Sequence, residues 1–287
     1  MTATPAGYKQ QVPLMRAALY LGSFLVFLAG IQLFVLTERT DHYFAWTIAN
    51  PMTAAFLGAF YWTAIPLAFL SARQRVWAHA RVGVPGVLIF LWATLLTTLL
   101  HLGKFHFSSP DQFAKGAAWL WLLIYAADPV LVSAGLMLQL RAAGGDPPRA
   151  AELPGWYRTV LVLQSIGTVA VAVILFAAPN WAATWWPWAL TPLTARAMAS
   201  WLLGLGVVLA RAWLENDWVR VRAATAAYAV LGVLQLVALA RYGDRVSWSR
   251  PSAWAYVAFA ISVLFAGAYG SGRARTATSV RQPSLAG

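Results

Sequence analysis

Trp186-Pro187-Trp188-Ala189-Leu190-Thr191-Pro192-Leu193-Thr194-Ala195-Arg196 decides how this chain is read, and Phe44-Ala45-Trp46-Thr47-Ile48-Ala49-Asn50-Pro51-Met52-Thr53-Ala54-Ala55 is a weaker copy of it. In both stretches aromatics alternate with small or apolar residues, and a polar residue then precedes proline. Thr191-Pro192 and Asn50-Pro51 each read as a helix N-cap followed by proline at the first helical position, where a missing N–H costs nothing. A long apolar run follows each. Trp46, Trp186 and Trp188 are expected in the headgroup layer, where tryptophan concentrates in membrane proteins. Each stretch, with Pro51 and Thr53 or Pro192 and Thr194 opening its helix, reads as a doorway through which the chain enters a membrane.

Working outward, the apolar runs number eight. They are expected at about 13–36, 51–71, 82–101, 117–140, 157–178, 193–213, 223–241 and 252–270, each near the roughly 20 residues that cross a bilayer core. Residues 17–36 are too long a run for an ordinary signal peptide and lack a small-x-small cleavage site, so they are read as a retained first helix. Composition agrees. The chain is 60% hydrophobic and only 10% charged, against roughly 25% charged in soluble domains. Its net charge of +12 comes from Lys and Arg between the apolar runs, without the stripe or module expected of a nucleic-acid binder. With the N-terminus inside, 14 of the 21 Lys and Arg fall on the inner side. The positive-inside rule then places both termini in the cytoplasm. The expected setting is the plasma membrane of a prokaryote.

The doorways repeat because the chain repeats. At a shift of 141, Pro51, Thr53, Ala54, Trp77, Arg81, Leu95 and Ser108 meet Pro192, Thr194, Ala195, Trp218, Arg222, Leu236 and Ser249. The first and fifth runs align at a shift of 142, and the fourth and eighth at 135. The expected architecture is all-α and polytopic: eight transmembrane helices as two parallel four-helix repeats, N-in and C-in. Residues 1–140 form the first unit and 157–270 the second. A Gly/Pro-rich cytoplasmic linker spans 141–156, and a disordered basic tail spans 271–287. Because each unit has an even number of helices, the repeats are related by an axis along the membrane normal, as in some transporters.

Chemistry is sparse. With no cysteine, disulfides, thiol catalysis and thiolate metal sites are absent. No nucleophile elbow, zinc-protease, phosphate-loop or dinucleotide motif occurs, so no catalytic residue, metal ligand or cofactor is assigned. His42, His101 and His106 lack a shared helical face, which argues against a metal site. Asp128 is the sharpest residue, since a carboxylate at mid-depth is costly unless paired, hydrated or protonated. It reads either as a proton or cation site or as a protonated side chain bonded to a neighbouring helix beside Pro129. Its position in the second unit holds Val263. Arg196, which stands where the first unit has Ala55, reads as snorkelling or anion-binding. His101 and Gln235 complete the candidate set. Gln164 and Gln235 also read as ordinary interhelical glue. Glu215, Asn216 and Asp217 sit among arginines and read as an ion-pair cluster. Three functions stay open: a non-enzymatic membrane component or scaffold, a small-solute or proton-coupled transporter using Asp128, and a membrane enzyme acting on lipid. The partners expected are the bilayer and a small solute or membrane protein, with no nucleic acid.

Overall fold

A computed structural model describes residues 7–280. Eight helices are long and apolar enough to cross a bilayer, which makes the chain a multi-pass membrane protein. They are α1 (Pro13–Gly30), α2 (Pro51–Ala72), α3 (Val84–Leu100), α4 (Gln112–Arg141), α5 (Gly155–Ala177), α6 (Pro192–Glu215), α7 (Trp218–Tyr242) and α8 (Pro251–Val280). A π-helical turn, Ile31–Val35, extends α1, and two short helical turns from Trp77 to Gly83 lead into α3. Local chemistry sets the helix starts. The Asn50 side chain accepts from Met52 N, and Thr191 and Thr194 form a reciprocal capping box. Asp111 and Asp217 cap α4 and α7 by accepting from two backbone N–H groups each. Such caps satisfy N–H groups that a helix start leaves orphaned.

The helices close into a ring. Its order is α1, α2, α7, α8, α5, α6, α3, α4 and back to α1, every neighbour but one being a backbone-packed pair. The α5–α8 neighbours meet through side chains: Tyr157 Oη donates to Ala266 O at 3.1 Å and Gln164 Nε2 to Ser262 Oγ at 2.9 Å. α2 and α6 lie inside, with 67% and 72% of their apolar windows buried, whereas α4 and α5 at 28% lie outside.

The two halves are clamped at both ends. At the end carrying the start of α1 and the end of α8, the buried Glu215 carboxylate accepts from Arg81 at 2.6 and 2.9 Å, Arg211 at 2.9 Å and Arg220 at 3.1 Å. Arg81 also reaches Asp146 at 2.7 Å. The ion-pair reading of the turn holds for Glu215, whereas Asp217 makes no ion pair among the described residues and caps α7 instead. The partner that spans the halves, Arg81, lies far away in sequence. At the opposite end the doorways meet. Trp188 Nε1 donates to Thr53 Oγ1 at 2.9 Å, joining the second doorway to the helix behind the first.

That contact corrects the expected place of the doorway aromatics. Trp46 and Trp188 are only 2% and 1% exposed, and Trp186 is buried as well. They turn inward because other helices offer rings to pack on: Trp46 lies 4.9 Å from Trp121, and Trp188 lies 5.3 Å from Tyr256. Burying a large ring against other aromatics takes it out of contact with the headgroups. The linker is likewise docked rather than free. Gly144, at φ +108°, presses against Lys9 where a Cβ would clash, and Gly145 O accepts from Lys9 N at 2.9 Å. Asp217 accepts from Ala150 N, and Leu153 N donates to Asn216 Oδ1 at 3.2 Å. The expected disordered tail begins too early. α8 remains helical to Val280, because polar Ala/Arg/Thr sequence continues a helix after the apolar run has ended. Residues 281–287 of that tail lie outside the described residues.

Candidate functional site

Between the clamps the interior is open. A cavity of about 220 Å³ lies at mid-bundle, lined by every long helix except α8. Its walls are apolar and aromatic, with Phe60, Phe90 and Trp201 among them. The Phe90 and Trp201 rings stack at 3.7 Å. Asp128 lines this cavity. It is half-buried, and among the described residues its carboxylate has no hydrogen-bond partner. One turn earlier on α4, Tyr125 shares its hydroxyl with Tyr61 of α2 at 2.6 Å, which fixes that wall.

Two further polar atoms bear on the cavity. Thr63 Oγ1 on α2 and Tyr228 Oη on α7 are buried without a partner, and both residues line the space. No Lys, Arg or His is among the lining residues. Buried polar groups are ordinarily bonded, so two buried unmet hydroxyls and a half-buried carboxylate around one cavity mark it out. Sequence reasoning reached Asp128 by its charge. Thr63 and Tyr228 carried a weaker signal, a lone hydroxyl near the middle of an apolar run, and only the fold brings them to one space.

The other candidates lie elsewhere. Arg196 donates to Phe176 O at 3.1 Å and to His101 Nε2 at 2.9 Å, near the doorway end. Burial first, and then the neighbouring Arg196 and Lys104 charges, hold the His101 imidazole below its ordinary pKa. The neutral ring can therefore accept the guanidinium N–H. Gln235 accepts from Tyr256 Oη at 2.7 Å and donates to Phe56 O at 3.3 Å, joining α7 to α8 and α2. Gln235, Arg196 and His101 thus do not converge on Asp128. His42 is paired with Asp111, while His106 bonds Thr47 and Phe44 O. Among the described residues no three His, Asp or Glu side chains gather as a metal site would require.

The cavity has a mouth. Gly22 and Leu28 of α1 and Leu120 of α4 line it, yet Leu28 and Leu120 are 40% and 54% exposed on the bundle surface. A Cβ added at Gly22 would meet nothing within 4 Å. The seam between α1 and α4 is therefore parted at mid-depth. It is held below by Gly135 against Met15 and by Gln139, which accepts from Val12 N at 2.8 Å. Comparison with family models, curated proteins and solved structures finds no match. The geometry alone carries the functional reading.

Proposed function

We propose that the chain binds a small lipophilic molecule dissolved in the bilayer, admits it sideways between α1 and α4, and carries it in the central cavity. One observation carries this reading: a cavity with apolar walls that opens toward the lipid-facing surface at Gly22, Leu28 and Leu120. Ligand sites are typically concave, mostly apolar and furnished with a few placed polar groups. A rigid scaffold would have no need for such a space.

The duplicated plan supports a carrier. Helix starts recur 141 residues apart, as at Pro51 and Pro192 or Trp77 and Trp218. The backbone bond from Trp77 N to Lys9 O recurs as Trp218 N to Ala151 O, both at 2.9 Å. The order of helices around the ring is unchanged when α1–α4 are exchanged with α5–α8. Two parallel units with a ligand space at their interface is a known transporter plan. The Lys and Arg bias supports an orientation with both termini, and the Glu215 cluster, on the cytoplasmic side.

Photolabelling tests the reading. The protein in phosphatidylcholine nanodiscs would be irradiated with a diazirine-bearing decanol and the labelled peptides mapped by mass spectrometry. Saturable label on Phe60 and Trp201 is expected, falling about tenfold in Gly22→Trp, whose ring would fill the mouth; steric obstruction slows association in this way. Gly22→Ala should label normally. Label confined to lipid-facing residues of the bundle exterior would overturn the proposal.

A further inference from the structure

We infer that the lipophilic molecule is an amine: an apolar body ending in a cationic N–H head that pairs with Asp128. The inference rests on the cavity reading above and adds the ligand's chemical class.

Charge is the first argument. Asp128 is the only acidic residue lining the cavity, and no basic side chain there neutralises it. An isolated carboxylate in an apolar interior is strongly disfavoured and calls for a counter-charge or a proton. Since the protein brings no cation to this space, a cationic ligand completes the pair. Hydrogen bonding is the second argument. Among the described residues the Asp128 carboxylate, near the middle of α4, accepts no hydrogen bond and lines the cavity. An ammonium head has up to three N–H donors and no acceptor. It can therefore serve both carboxylate oxygens. An alcohol has one donor and no charge, and a carboxylic acid or phosphate head would face Asp128 as a like charge. The walls are the third argument. Tyr61, Tyr125 and Trp201 present aromatic faces beside the site, and such faces attract cations further when water is excluded.

Competition against the decanol photolabel separates this inference from the reading beneath it. In the wild-type protein, decylamine should suppress cavity labelling at a concentration about tenfold or more below that of decanol, the range expected for a charge-assisted hydrogen bond. Asp128→Asn should bring decylamine to the level of decanol while decanol itself competes as before. If decanol labels the cavity but decylamine competes no better, or if Asp128→Asn leaves its advantage intact, the amine assignment falls and the lipophile reading stands. If neither compound protects the cavity, the reading itself falls with it. Should Asp128→Asn fold poorly, Asp128→Glu provides the second variant: it retains the charge and should retain the preference for decylamine.

Discussion

Two seams of this molecule, α1 with α4 and α5 with α8, occupy matching places in the ring and are joined differently. The backbones of α1 and α4 approach each other, whereas α5 and α8 stand farther apart and are bridged at mid-depth by the Gln164–Ser262 bond at 2.9 Å. At the matching positions of the first, 142 and 135 residues earlier, stand Gly22 and Ala127, which offer no side chain that bridges it. The neighbouring helix pairs differ as well. Gly232 and Gly267 let α7 and α8 touch backbone to backbone: a Cβ on Gly232 would lie 2.5 Å from Leu264 Cα, and one on Gly267 would lie 2.2 Å from Ala229 N. In α3 and α4 those places hold Leu91 and Val132, both lining the cavity. Small residues permit close helix approach in membranes, and larger ones hold helices apart. Four side-chain differences thus accompany a bridged seam beside α7 and α8 and a cavity-lining seam beside α3 and α4. The lesson is that a few side chains at helix crossings decide whether neighbouring helices pack closely or leave space between them.

The largest expected effect comes from giving the tight pair the residues of the loose one. Gly232→Leu with Gly267→Val should cost about 3 kcal/mol or more through overpacking, read as a lower midpoint in SDS-titrated unfolding. A near-normal midpoint would mean that the glycines do not set the α7–α8 spacing. Next in size is opening the bridged seam with Gln164→Gly and Ser262→Ala. About 1 kcal/mol should go with the interhelical bond and about 1 kcal/mol with glycine inside a helix. The photoreactive decanol should then also label α5 and α8. A stability loss without new labelling would show that packing, and not this bond, closes that seam.

The smallest effect concerns how the loosest helix, α4, is held at its start. Asp111 caps Phe113 N and Ala114 N and pairs with His42. The hydrogen bond from His42 holds the Asp111 carboxyl below the ordinary carboxylate range. Because its pKa is depressed in the folded state, the stabilisation is present above the unfolded value of about 4 and is lost as pH falls through the folded value. Asp111→Ala should lower the melting temperature slightly at neutral pH. The difference from wild type should disappear only in acid below the ordinary carboxylate range. A gap that persisted there would assign the cap's contribution to something other than the ionised carboxyl.

Much of the fold was legible because its determinants are local. Eight apolar runs, and the caps at Asn50 and Thr191, act over a few residues of chain. The site was legible only at Asp128, since a charge inside an apolar run stands out wherever its helix ends up. Thr63 and Tyr228 resemble many polar residues that bond their own helix or a neighbour. The doorway tryptophans misled for a similar reason: composition marks them as interfacial, and their burial depends on rings of Trp121 and Tyr256 from other helices. Arg196 and Gln235 stood out as polar residues among apolar ones, but His101 and Tyr256 satisfy them away from the cavity.

The sequence by itself determined that this is a multi-pass helical membrane protein and where most of its helices begin, because hydrophobic run length and capping are properties of contiguous residues. α4 and α7 start at Gln112 and Trp218, ahead of the expected 117 and 223, at polar caps outside the apolar runs. The tertiary structure alone decided that a side-chain bond bridges α5 and α8 while Gly22 leaves α1 and α4 unbridged, that Arg81 reaches Glu215, and that Asp128 lines a cavity together with Thr63 and Tyr228. Those outcomes turn on which side-chain volumes meet at helix crossings between residues far apart in the chain.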